Sequence, residues 1–511
     1  MCFGQCPVLA DIWKTAFRDR TGRPESAIPW AVTSKSAPGV RSRRRSRTIR
    51  APFPARHPRS WSDVLSIPVL RDGEERSSRD TRVLHGVNGV PVATVHEAPA
   101  LVSRLTVKRM RAAPPMAPDE RLAVLADAGR RFAEATVGGQ TPEEYCRVQA
   151  AVSGVPIGVA RQTLGRMRDD CGLLGDVVAR QSPAGVGRTA RWARRGSVFG
   201  VVAPSNHPAT HGAWLQAVAL GYRVVVRPGT RDPITPLRLV RSLLEAGLAP
   251  GWISLLPGPH AAADALVEAA DLSLVYGSEA TVARLRGNDR VLVRGPGRSK
   301  ILVDVPADEA VLDHLVSEIS ADGGVRCTNT TAVFTSGDHR ALAEALAERL
   351  AALPGLPVTD DRAVLPVRPR KEAEGLRAAL RQAAQDAVDL TERHYEADGG
   401  PVPVVDEDAA ALRPAVMCVD RSDHPGLGTE LPFPCVWVAP WERSEGIAPL
   451  DDSLALTLLT DDAALVDDAL DTPGIRTVLH GRVPRWWRDP YLPHDGYLAQ
   501  FLMEARGFAG P

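Results

Sequence analysis

Thiols, an amide and a glycine–serine pair are the groups in this 511-residue chain whose types and settings could do chemistry. The seven cysteines, Cys2, Cys6, Cys146, Cys171, Cys327, Cys418 and Cys435, are scattered and odd in number. Without a CxxC pair or clustered histidines, they point to a reduced compartment and to no metal site. Cys327 stands beside Arg326, whose charge favours a thiolate; a buried inert thiol is the alternative for any single cysteine. Gly277-Ser278 follows the run LSLVY and opens a helical stretch, so a small backbone and a capping hydroxyl can face a diphosphate there. An ordinary capped helix is equally compatible. Asn206, ahead of His207-Pro208, reads by itself as a turn residue. No GxGxxG follows any strand-like run, so these residues alone leave the cofactor open.

The elements that must position them follow from hydrophobic spacing. From about Trp61 to Arg180 the pattern reads as helical: Pro118-Asp119-Glu120 opens a run with apolar residues three and four apart, and Thr141-Pro142 offers a cap and a first-turn proline. Between Gly196 and Val303 short β-rich runs (SVFGVVAP, RVVVRP, WISLLPG, LSLVYGS, RVLVRGPG, KILVDV) alternate with helical ones. Such alternation marks a parallel, doubly wound α/β sheet, which binds ligands at the carboxyl ends of its strands. After Asp304 a second α/β series is expected, with helices near Glu309–Ser320 and His339–Leu353, the segment GGVRCTNTTAVF, and strands in PAVMCVD and CVWVAPW. The predicted organisation is a leader over 1–60, a nucleotide-binding unit over 61–303, a cysteine-bearing unit over 304–476, and a tail over 477–511 serving oligomerisation.

The net charge of +1 and the 44% hydrophobic content exclude a pull of bulk charge towards nucleic acid. No apolar run reaches the roughly 20 residues of a membrane-spanning helix, and a cytoplasmic protein is expected. The stretch Ser26–Ser62 lacks Asp and Glu and includes RSRRRSRTIR (Arg41–Arg50). It reads as a disordered leader or misassigned start, with a basic contact arm and an Arg- and Ser-rich targeting peptide as alternatives.

Seven segments taken in order resemble the signature segments of aldehyde dehydrogenases: GVVAPSNHP (Gly200–Pro208), VVVRPGTRDP (Val224–Pro233), LLPG (Leu255–Gly258), YGS (Tyr276–Ser278), RGPGRSKILV (Arg294–Val303), GGVRCT (Gly323–Thr328) and TELPFP (Thr429–Pro434). Each is weak singly; their order over Gly196–Val438 carries the resemblance. It implies that Cys327 attacks the carbonyl carbon and that the Asn206 amide, with the Cys327 backbone N–H, donates to the oxyanion. It places Gly277 and Ser278 at the cofactor and Glu430 at the nicotinamide-side ribose, with Pro432 replacing the usual aromatic. Arg227 stands for the lysine that contacts the adenosine ribose, and Thr230 for the glutamate of NAD-preferring members. Loss of that carboxylate, with Arg227 and Arg231 available to pair with a 2′-phosphate, favours NADP over NAD.

The informative departure from the family pattern is Arg294, where most hydrolytic members carry the glutamate that activates water. A guanidinium stays protonated and cannot be a general base. RGPGRSK and PHDGYL (Pro493–Leu498) look more like the acyl-reductase branch and the relatives associated with phenazine antibiotic biosynthesis. The resemblance therefore implies NAD(P)H-dependent reduction of an activated acid, as thioester or mixed anhydride, to an aldehyde, with coenzyme A or a carrier protein as the acyl donor. Aldehyde oxidation is the second reading, a catalytically silent binding protein the third, and a solvated arginine in a glycine turn the bland account of Arg294. Relatives are usually dimers or tetramers. Deleting residues 1–58 is expected to leave melting temperature and turnover unchanged, because that composition cannot bury a core; loss of soluble protein on truncation would show that it packs.

Overall fold

The computed structural model describes residues 65–183, 186–187, 189–484 and 489–509. The basic leader lies outside them. The described residues form one compact unit built around two seven-stranded sheets.

In the first sheet the strands Val198–Val202, Arg223–Arg227, Ile253–Leu255, Leu272–Tyr276 and Val291–Arg294 run parallel. Their spatial order is 291–294, 272–276, 198–202, 223–227, 253–255, and the antiparallel pair Val69–Arg71 and Glu74–Arg76 completes one edge. Successive side chains go to opposite faces: Phe199, Val201, Val224 and Val226 join one core cluster, Val198 and Val225 another. Both faces are therefore covered, which explains why the runs read as continuously apolar rather than alternating. Each fully buried Val, Leu or Phe contributes about 1.5–3 kcal/mol.

The second sheet orders Val388–Asp389, Ala415–Cys418, Cys435–Pro440, Thr330–Thr335, Ser299–Val303, Leu456–Leu459 and Val478–His480, parallel except for its first strand. Here too Ile301 and Val303 face one cluster and Leu302 the other. The two sheets establish the doubly wound α/β architecture expected from the sequence, and the helices Glu309–Ser320 and His339–Ala351 lie where periodicity put them.

Two expectations are corrected. Residues 65–96 form the strands Leu65–Ile67, Val69–Arg71, Glu74–Arg76, Thr81–His85 and Pro91–His96 before the first helix, Ala100–Arg111. In PVATVH only Ala93 and Val95 are fully buried, a period of two rather than 3.6. The division after Val303 is misplaced, because Ser299–Val303 pairs within the second sheet. An all-apolar strand suits either sheet, so the pattern could not say which one takes it. The tail begins as a strand, Val478–His480, of that same sheet, and its end, Met503–Gly507, pairs antiparallel with Ala190–Arg194.

The helices under the first sheet hold through local chemistry. Thr141 and Glu144 form a reciprocal capping box at the start of Pro142–Ser153, as the Thr-Pro-Glu-Glu sequence implies. Arg238, fully buried on Ile234–Glu245, donates to the carbonyls of Phe132, Ala135 and Gln140, closing the end of Pro118–Glu134. Arg238→Met removes donors from three carbonyls at once. We expect it to cost about 3 kcal/mol in urea unfolding; an unchanged midpoint would exclude this role.

Candidate active site

The segment carrying Cys327 is shaped by backbone geometry. After the helix Glu309–Ser320, Asp322, Gly323 and Gly324 adopt φ of 53°, 78° and 66°. Three left-handed residues in a row are costly for most side chains, and two of these three are glycine. This turn swings Val325-Arg326-Cys327 across the entry to the strand Thr330–Thr335. Asn329 fixes the segment: its Oδ1 accepts from Arg326 N at 2.8 Å, and its Nδ2 donates to the carbonyls of Glu318 and Ala321.

Asn206 lies in the loop after Val198–Val202 and donates from Nδ2 to the Val325 carbonyl at 2.9 Å. One amide N–H is thereby committed to the cysteine segment, and the amide carries a second. Next to it, buried His207 accepts from Ala209 N at Nδ1 and donates from Nε2 to Asp322 Oδ2 at 3.0 Å. Burial pushes the His207 pKa down, which keeps the ring neutral. Burial alone would raise the Asp322 carboxyl, but Arg326 and the His207 hydrogen bond outweigh it and hold the group well below the usual carboxylate range.

Cys327 opens into a cavity of about 240 Å³ whose wall includes Asn206, Tyr276, Arg294, Arg326 and Thr328. Arg294 ends its strand in register with Tyr276 and donates from Nη1 to the tyrosine Oη at 3.2 Å. Its Nε is buried without a hydrogen-bond partner. It is thus a wall of the cavity, which overturns the solvated-turn account. Burial lowers its pKa, but Tyr276, Asp495 and Cys327 together outweigh that and raise it. The following turn presses on the nucleophile: a Cβ built on Gly297 would lie 1.8 Å from the Cys327 carbonyl oxygen. The same turn donates two backbone N–H groups, of Gly297 and Arg298, to Glu430 Oε2 at 2.7 and 2.9 Å.

The Cys327 thiol is pushed up to about 11, by burial first and by the Glu430 charge second, against Arg294 and Arg326. Arg326 favours the thiolate but does not outweigh burial, and its guanidinium also lies 3.4 Å from Asp322. The sequence reading missed the far wall of the cavity, built by the C-terminal segment: Pro490, Leu492, Pro493, His494, Tyr497 and Leu498. His494 Nε2 stands 3.8 Å from Cys327 Sγ. The signal was present in PHDGYL, but nothing local connects residue 494 to residue 327.

The chain matches the aldehyde dehydrogenase family over residues 74–448, well over half its length. It belongs to that family. It is 25% identical to the betaine aldehyde dehydrogenase of Cereibacter sphaeroides over 320 residues, covering 55% of this chain and 61% of that protein. The alpha-ketoglutaric semialdehyde dehydrogenase of Bacillus subtilis is 30% identical over 165 residues, 30% of this chain and 34% of that protein. The chain thus spans less than two thirds of these curated relatives. The NAD+ complex of an aldehyde dehydrogenase from Bacillus cereus superposes with a TM-score of 0.71 at 18% identity, covering 87% of this chain and 96% of that one.

The cofactor positions expected of an aldehyde dehydrogenase divide into two groups. Glu430 fits a ribose beside Cys327: it is a half-buried carboxylate, its pKa raised by desolvation despite its two N–H donors, and those use two of about four acceptor sites. Gly277 and Ser278 lead into the helix Glu279–Leu285, but the Ser278 side chain makes no capping bond. A Cβ on Gly277 would meet Thr281 at 2.5 Å, so packing accounts for that glycine. The arginines expected at a 2′-phosphate are engaged within the protein. Arg227 is 6% exposed and donates twice to the Gly258 carbonyl. Arg231 is paired with Glu372, and Thr230 is exposed. Gly297→Ala should displace the cysteine segment and slow acylation of Cys327 by an activated ester about 10²-fold, the cost of an ångström-scale misplacement; acylation at the unchanged rate would mean that the turn does not position the thiol.

Proposed function

We propose that this protein is an NAD-dependent oxidoreductase that takes an aldehyde to an acid through an acyl group carried on Cys327. The observation that carries the reading is the single cavity joining Cys327, delivered by the second sheet, to Asn206, delivered by the first. The names of curated relatives such as the betaine aldehyde and alpha-ketoglutaric semialdehyde dehydrogenases support the oxidative direction. Engagement of Arg227 and Arg231 with Gly258 and Glu372 supports NAD over NADP. A cytoplasmic dimer or tetramer goes with this reading.

The Cys327 sulfur attacks the aldehyde carbon, and the oxygen takes the π pair. The second Asn206 N–H and the Cys327 backbone N–H donate to that oxygen, which in a cavity of low polarity is worth several kcal/mol, about 10²–10³-fold in rate. Glu430 would hold the nicotinamide ribose. When bound, the nicotinamide supplies the acceptor for the hydride. The cationic Arg294, fixed by Tyr276, lies where negative charge develops and cannot take a proton.

A second reading, reduction of an acyl group delivered by coenzyme A or a carrier protein, is favoured by Arg294 itself, because no carboxylate stands there to activate water. The two separate in single turnover. Acylating the protein with a p-nitrophenyl ester, without cofactor, should load one acyl group on Cys327, seen by intact mass. The oxidative reading requires this thioester to hydrolyse at least as fast as steady-state aldehyde oxidation with NAD+. A thioester that persists for many turnover times and discharges only on adding NADH or NADPH would replace it with the reductive one, and equal loading of Cys327→Ala would remove both.

A further inference from the structure

With a glutamate absent at Arg294 and the Cys327 thiol protonated at neutral pH, something else must take the sulfur's proton before attack. The groups that face the thiol are few. Arg294 comes from one edge of the first sheet, with Tyr276 beside it; Arg326 lies on the cysteine's own loop; Glu430 comes from the loop before Cys435–Pro440. Arg166 and Asp489 line the cavity farther along, and Asp495 acts on Arg294 from the C-terminal segment. Neither arginine can accept a proton, and Glu430, whose Oε2 takes the Gly297 and Arg298 N–H groups, makes no hydrogen bond to the sulfur. Among the described residues, one imidazole stands at hydrogen-bond distance of the sulfur, that of His494.

We propose that His494 is the catalytic base for Cys327. The inference rests on Cys327 being the nucleophile and assigns a residue outside the segments that carry the family resemblance at the cysteine. Nε2 takes the Sγ proton, leaving a thiolate and an imidazolium; the thiolate pair forms the new S–C bond, and the imidazolium returns its proton to solvent, to which His494 is exposed. On the thioester the neutral ring takes a proton from water, hydroxide adds to the acyl carbon, and the C–S bond breaks. The departing sulfur recovers its proton from the imidazolium, giving back Cys327 and releasing the acid. One base thus serves both steps, which reconciles an arginine at position 294 with a hydrolytic outcome.

The position of His494 is built rather than incidental. Thr477 Oγ1, at the foot of the strand Val478–His480, donates to the Pro493 carbonyl at 3.2 Å. Asp495 lies 3.6 Å from Arg476, and Tyr497 donates from its hydroxyl to the Tyr491 carbonyl. Tyr491 lies under the Arg180 guanidinium, 3.9 Å from its ring centre, and Ala499 N donates to Gln181 Oε1. The segment is held on both sides of the histidine, by the second sheet and by the helix Ile157–Arg180.

The test uses the full chain without cofactor or substrate, so its outcome is independent of the direction of the reaction. Alkylation of Cys327 by iodoacetamide, in which the S–C bond forms as iodide leaves, is followed by peptide mass from pH 6 to 10. His494→Gln should slow it at pH 7 by at least about tenfold, and the difference should shrink as hydroxide takes over ionisation at high pH. Added imidazole should restore part of the rate to His494→Ala, a rescue that a purely structural role would not give. Coincident wild-type and His494→Gln rates between pH 6 and 8, or no rescue of the alanine variant, would overturn the assignment. Loading of Cys327 by the activated ester at high pH would survive in either variant, so failure here leaves the nucleophile assignment standing.

Discussion

The contact between His207 and Asp322 is the joint on which the site depends. It links the loop leaving the strand Val198–Val202 of the first sheet to the left-handed turn that feeds the second, and the side chains of both partners are buried. Asp322 keeps its charge there because Arg326 and the neutral His207 share it. A buried carboxylate deprived of such partners costs about 3–5 kcal/mol, so the pair fixes one arrangement of the two loops rather than merely adding stability. Its consequence is registration: Asn206, beside His207, reaches the Val325 carbonyl, and Cys327 follows two residues later. The oxyanion donor and the nucleophile belong to different sheets and are held together by these contacts.

Around that joint the cavity keeps the thiol protonated at rest. Burial and Glu430 oppose ionisation, while Arg294 and Arg326 favour it without prevailing. A resting thiol of this kind resists oxidation and stray alkylation, at the expense of requiring a proton acceptor at the moment of attack. Arg294 occupies a position from which it stabilises negative charge but moves no proton. Glu430, drawn to the backbone of Gly297 and Arg298, braces the turn that presses on the Cys327 carbonyl. Cofactor end and nucleophile end therefore share one support, and a change at either is felt at both.

The sequence by itself determined the local and the periodic features. The parallel strands of the first sheet, and Ser299–Val303, Ala415–Cys418 and Cys435–Pro440 of the second, were legible because most are apolar on both faces, a property of the run itself; Leu456–Leu459 and Val478–His480 were not. The capping box at Thr141 and the helix after Asp308 were legible from four or five adjacent residues, and the ordered segments from Gly200 to Pro434 marked Cys327, Asn206 and Glu430 as residues to watch. What escaped was whatever depends on partners distant in the chain. Ser299–Val303 could not announce which sheet it joins, and the β period of residues 91–96 was lost within a longer stretch taken as helical. Arg227 and Arg231 read as phosphate ligands, and nothing in their own segment signalled that the Gly258 carbonyl and Glu372 engage them. That burial outweighs the pull of Arg326 on the thiol could not be seen, because adjacency in sequence carries no measure of burial. His494 lies 167 residues from Cys327; only the return of the chain through Val478–His480 to the cavity mouth brings the two together. Residue type and spacing limit what each group can do, whereas proximity, desolvation and competing partners, which decide what it does, arise only when the chain has folded.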